Sequence, residues 1–100
     1  MPDNVLANVT PFQNWFNYSL VLTESPQKLR STPEKTRAVY IRNPTGNTGT
    51  VYIGSEGLTT TNAPIALTAG QEVEIAIASI QKVYVLTSNA GDSIAYSWEV

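Results

Sequence analysis

Apolar and polar residues alternate with a period of two along most of this chain. Phe16, Tyr18, Leu20 and Leu22 interleave with Asn17, Ser19, Val21 and Thr23, and Ser25-Pro26 ends the run. That period puts alternate side chains on opposite faces of a strand. Thr36 to Asn43 repeats it, with Val39 and Ile41 on one face and Tyr40 and Arg42 on the other. Pro44-Thr45-Gly46-Asn47-Thr48-Gly49 is dense in turn residues. Thr50 to Gly54 then resumes the pattern through Val51 and Ile53, so the two strands are expected to form an antiparallel hairpin with a long loop. Pro64 to Leu67 reads as a short strand. Val73, Ile75 and Ile77 against Glu72, Glu74 and Ala76 form the cleanest amphipathic strand. Val83 to Leu86 is nearly continuous in apolar character, as expected of a central strand. Ile94, Tyr96, Trp98 and Val100 share the face of a last strand.

No stretch places apolar residues at helical spacing; Ser79 to Lys82 could hold one irregular turn. Between Ser25 and Thr36 the chain is polar, with Leu29 as its only large apolar residue and Pro33 breaking it, so a loop or a poor edge strand is expected. Seven to eight short antiparallel strands with turn signals every 8 to 12 residues predict one all-β domain. It is a small β-sandwich or jelly-roll-like barrel over residues 15–100. Strand count alone leaves immunoglobulin-like and jelly-roll topologies open. Residues 1–14 read as an extended N-terminal arm: Pro2 and Pro11 flank a polar, Asn-rich stretch with few apolar anchors.

A chain of 100 residues without cysteine has a thin core and no covalent staple. Such domains often gain stability from copies of themselves or from a partner. Charged residues make up only 14%, and the surface polarity comes from Ser, Thr and Asn, which suits broad, weakly charged contacts. A net charge of −2 gives no electrostatic footprint for nucleic acid. No apolar run is long enough to span a membrane, and no signal peptide is expected at the N-terminus.

Charge is divided along the chain. Lys28, Arg30, Lys35, Arg37 and Arg42 supply five of the six basic residues, whereas Glu56, Glu72, Glu74, Asp92 and Glu99 follow. Either the two segments are neighbours in the fold or simply solvated, or the basic strip of one copy meets an acidic surface of another molecule.

Catalytic chemistry finds little footing. Without histidine or cysteine there is no Ser-His-Asp triad, no thiol nucleophile and no usual transition-metal site. Glu72 and Glu74 share a strand face about 7 Å apart, close to the spacing of inverting glycosidases. Their face is polar, though, so a solvated face that discourages edge pairing is the expected reading. The glycine loops at residues 46–49 and 54–57 lack the helix that a phosphate cradle needs. The chain is therefore expected to be non-enzymatic and to use no cofactor. Tyr40, Tyr52 and Tyr84 each lie beside core-facing residues and so point outward together. A stripe of three could be ordinary cross-strand pairing, a protein interface, or a platform for sugars.

From residue 37 onward the chain resembles small structural proteins of tailed bacteriophages. The shared pattern is carried by Val51-Tyr52-Ile53-Gly54, Asn62, Leu67, Gly70, Val73, Val83-Tyr84-Val85 and Gly91. The resemblance covers about two thirds of the chain and implies a virion component. Capsid decoration, or cement, is the commonest role for a β-sandwich this small. The expected partner is a major capsid protein or another virion protein, bound across capsid-subunit seams. The expected setting is the outer head surface, after synthesis in the host cytoplasm, with a homotrimer as the favoured assembly. The resemblance names no functional residues. From the residues themselves, the expected contact surfaces are the arm (Val5, Leu6, Val9, Phe12), the basic strip (Arg30, Arg37, Arg42) and the tyrosines Tyr40, Tyr52 and Tyr84. The alternatives are a glycan-binding module, or a neck or tail subunit.

Overall fold

A computed structural model describes residues 16–100. Among them are eight strands: β1 (Tyr18–Val21), β2 (Gln27–Lys28), β3 (Ala38–Arg42), β4 (Val51–Gly54), β5 (Ile65–Leu67), β6 (Glu72–Ile75), β7 (Tyr84–Thr87) and β8 (Ser93–Glu99). One 3-10 turn, Ile80–Lys82, precedes β7. All strand pairings are antiparallel and build two four-stranded sheets, ordered β1-β8-β3-β6 and β2-β7-β4-β5. Those two orders, with every neighbour non-consecutive except β4 and β5, are those of an eight-stranded jelly roll. The topology left open by strand count is thereby decided.

The core lies between the sheets. Val39 and Ile41 of β3 and Ile94 and Tyr96 of β8 face Val51 and Ile53 of β4 and Val85 of β7. Leu22, Leu29, Ile80 and Val83 seal it from the connecting segments. Each buried aliphatic side chain of this size stabilises the fold by about 1.5–3 kcal/mol. The expected central strand is β7, flanked by β2 and β4, with Val85, Leu86 and Thr87 all buried. The polar stretch after Pro26 yields only a two-residue edge strand, β2, because prolines bound it on either side. Val100 lies beyond β8 and is exposed rather than continuing its inner face.

The expected hairpin does not form. β3 pairs with β6 and β8, whereas β4 pairs with β5 and β7 in the other sheet. The Pro44–Gly49 segment carries the chain across the end of the sandwich. Asn43, fully buried, holds this crossing in place. Its Nδ2 donates to the carbonyls of Leu67 (2.8 Å) and Gly49 (3.3 Å). Its Oδ1 accepts from Asn47 Nδ2 (2.7 Å), which also donates to the Ser93 carbonyl (2.6 Å). Asn43 thus ties β3 to the strand ends of both sheets. A second clasp joins the 48–49 and 89–92 loops: Gly49 N donates to Asp92 Oδ2 (2.8 Å), and Asn89 Nδ2 donates to Thr48 Oγ1 (2.7 Å).

Candidate functional site

The charge division has an internal partner. β3 runs between β6 and β8, so its cations stand beside carboxylates that follow much later in the sequence. Arg42 lies across from Glu72, at 3.8 Å between charged atoms. Arg37 forms an ion pair with Glu99, and the Tyr40 hydroxyl donates to Glu99 Oε1 (3.1 Å). Two of the expected contact arginines are therefore matched within the chain. These pairs are exposed enough to contribute only about 0–1 kcal/mol each, but they neutralise the outer face of the first sheet. Glu72 and Glu74 project on that same face, Glu72 toward Arg42 and Glu74 across from Tyr40. Burial pushes the Tyr40 phenol above its ordinary pKa, and the Glu74 carboxylate adds to the shift.

The three-tyrosine stripe is divided by the fold. Tyr40 belongs to the first sheet and is buried, whereas Tyr52 and Tyr84 belong to β4 and β7 of the second. Tyr52 lies across from Leu86 and Tyr84 across from Gly54, so only these two share a half-buried outer face. The stripe rested on β3 and β4 being neighbours, and they are not. Val5, Leu6, Val9 and Phe12 lie outside the described residues.

The remaining expected arginine, Arg30, occupies a different setting. In the β1–β8 ladder Tyr18 is opposite Tyr96, and Trp98 is two residues further along the same face. The three rings form a cluster: Tyr18 and Trp98 stack at 4.8 Å between centroids, with Tyr96 5.6 Å from Tyr18 and 6.2 Å from Trp98. Arg30 reaches this cluster from the segment after β2. Leu29 anchors that segment, with its side chain in the core and its N–H donating to the Val83 carbonyl. The Arg30 guanidinium carbon sits 4.7 Å from the Trp98 ring centre and 5.1 Å from that of Tyr18. Both distances fall within cation–π range. Arg30 Nη1 donates to the Tyr96 hydroxyl (3.3 Å), the main influence raising the Arg30 pKa.

Glu34 supplies a nearby carboxylate, 3.9 Å from Arg30 Nε. That distance is an ion pair but not a hydrogen bond. Arg30 Nε is itself buried and has no hydrogen-bond partner among the described residues. The cluster stands on an open side of the sandwich, where the edge strands β1 and β2 leave a groove of about 380 Å³. Leu20, Tyr96, Lys28, Arg30, Ser31 and Thr32 line it. Tyr18 is 43% exposed at the rim despite its stacking, and Val21 of the same edge strand is 64% exposed.

The arrangement offers a flat aromatic surface, a planar cation and a second cation beside hydroxyls. Such a surface can stack on a planar group, donate hydrogen bonds and attract negative charge. Among the described residues, no three His, Cys, Asp or Glu side chains gather where they could hold a metal ion. Sequence reasoning singled out Arg30 but missed Tyr18, Tyr96 and Trp98 as a group. The i, i+2 spacing of Tyr96 and Trp98 was the available signal; the register that adds Tyr18 was not. Comparison of the chain with protein-family models, with curated proteins and with solved structures finds no match.

Proposed function

We propose that this chain is a structural subunit of a tailed-phage virion that works by protein contact, decorating the head and binding across seams between capsid subunits. The observation that carries the reading is the half-exposed Tyr18–Trp98–Arg30 assembly on the open sandwich side. Tyrosine, tryptophan and arginine are the residue types that dominate binding energy at protein interfaces, most of all when already packed and held rigid. The resemblance over residues 37–100 supplies the virion setting. The jelly roll is used by viral capsid domains but also by lectins, so the fold alone favours neither.

In this reading the subunit binds the assembled shell more tightly than free capsid subunits, and so stabilises the shell by mass action. The test is thermal: particles of the source phage with and without this chain are heated while DNA release is followed. Release at a lower temperature without the chain is expected; identical release curves overturn the cement role. Copy number per particle separates head decoration from a neck or tail position.

A glycan-binding role is the second reading, favoured by the exposed Tyr18 ring and by a groove in which Ser31 and Thr32 lie beside Tyr96. Rings of this kind stack on sugars as readily as on side chains. A glycan array read by direct binding decides it, with no hits removing the role.

A further inference from the structure

We propose that the groove between β1 and β2 is the docking site for an extended, acidic segment of a partner protein, with Arg30 and Lys28 receiving its carboxylate and the Tyr18–Trp98 plane receiving its apolar side chains. The inference rests on the protein-contact reading above and names the chemistry of that contact.

Charge complementarity identifies the occupant. Arg37, just before β3, and Arg42, at its end, are matched by carboxylates across the first sheet, whereas Lys28 and Arg30 lie at the opposite edge, beside the groove. Among the described residues Glu34 is the one acid paired with Arg30, and it approaches the Nε side at 3.9 Å. Nη1 is turned to Tyr96. A guanidinium carries five N–H donors in a planar fork, so these two neighbours leave capacity for an incoming carboxylate. Stacking on two rings fixes the plane of the fork in advance, which reduces the ordering cost of binding.

Edge geometry favours a peptide over a sugar. The groove is bounded by β1 and β2, each paired on one side only among the described residues. Such edges present backbone donors and acceptors to an extended chain, the basis of strand addition. Alternating residues of that chain would then face the groove in turn. A carboxylate at one such position meets Arg30, with Lys28 adding its charge from the groove's edge, and an apolar residue two positions away meets the exposed face of Tyr18.

The test is a titration of the isotope-labelled full chain, followed by NMR, with the blocked pentapeptide Val-Glu-Val-Glu-Val. Its Gln-for-Glu counterpart and free glucuronate are run in parallel. Saturable shifts are expected at Arg30 Nε, the Trp98 indole and the β1 and β2 amides, weakening as salt rises. The Gln peptide is expected to bind about tenfold more weakly. Arg30→Gln is expected to lose binding by a similar factor, and Lys28→Gln by about fivefold. Because Arg30 also packs on the aromatic cluster, Lys28→Gln decides if Arg30→Gln fails to fold. Equal affinity for the two peptides, shifts located elsewhere, or no loss in Lys28→Gln overturns the proposal. So does glucuronate binding as tightly as the Glu peptide, which would assign the groove to an acidic sugar. The two readings fail separately: peptide binding by a chain found on no particle sinks the virion reading and leaves the groove, whereas particle binding unchanged in Lys28→Gln, without peptide binding, sinks the groove alone.

Discussion

Asn43 shows how much one polar side chain can hold. It is buried with its amide donating to two carbonyls and its oxygen accepting from Asn47. Removing it leaves several buried groups without partners, each costing about 1–3 kcal/mol. Asn43→Ala is therefore expected to lower the free energy of unfolding by about 3 kcal/mol, read from the urea midpoint; a change of less than a third of that would show that the crossing holds without it. Tyr40 gives a prediction in pH. Its phenol has a raised pKa in the folded chain, against an ordinary value of 10.0. Below that value both states keep the phenol neutral and its contribution is complete. As pH rises past it, the unfolded chain ionises first and stability falls, until the folded pKa is reached. Tyr40→Phe should flatten this part of the alkaline decline, while losing about 0.5–1.5 kcal/mol at neutral pH with the Glu99 hydrogen bond. Urea midpoints from neutral to strongly alkaline pH measure both; an unaltered alkaline slope would remove Tyr40 as its source.

At the scale of elements, the crossing loops matter more than the strands they join. A Cβ at Gly49 would lie 2.8 Å from Asn89 Cβ and 2.9 Å from the Asn89 backbone nitrogen. The approach is backbone to backbone, so neither side can yield by rotating a side chain. Gly49→Ala is expected to cost about 1–3 kcal/mol through overpacking. Gly46, three residues earlier in the same loop, has nothing within 4 Å of its Cβ position. Gly46→Ala is expected to stay within about 0.5 kcal/mol of the parent. Thermal unfolding of the pair makes the comparison, and equal melting points would refute the close approach as the constraint. The strands themselves were largely legible. Alternation located β3, β4, β6 and β8, and the short β5 followed from its apolar run between Pro64 and Gly70. The poor edge strand after Pro26 and the single turn near Ile80 also follow from local chemistry.

For the molecule as a whole, the edge strands β1 and β2 frame a groove at one side of the sandwich. A sandwich that leaves Tyr18 and Val21 exposed on an edge strand invites association. Light scattering across a dilution series, with and without the first 14 residues, tests the trimer expected of a symmetric cement. A trimer that persists on dilution supports it, whereas a monomer in both forms removes it and leaves single-site decoration. Tyr18→Ser should keep the fold, since the side chain is at the rim, yet weaken particle binding about tenfold. A co-sedimentation assay reads that loss; undiminished binding would move the contact surface away from β1.

The amino-acid sequence by itself determined the secondary structure, the all-β class and most of the core, because the period of two and the turn residues act over a few neighbouring positions. It also brought Arg30, Arg37 and Arg42 forward as residues to watch. Only the tertiary structure decided what each strand lies beside. Val39 and Val51 alternate in the same way, whether their strands form one hairpin or enter opposite sheets, so the crossover at Asn43 was invisible locally. The same holds for the site. Tyr18 and Trp98 are 80 positions apart, and Arg30 joins them from the other sheet's edge. Strand order, set by which buried faces fit together, separated Tyr40 from Tyr52 and Tyr84, paired two arginines with distant glutamates and left the third on an aromatic platform at an open groove.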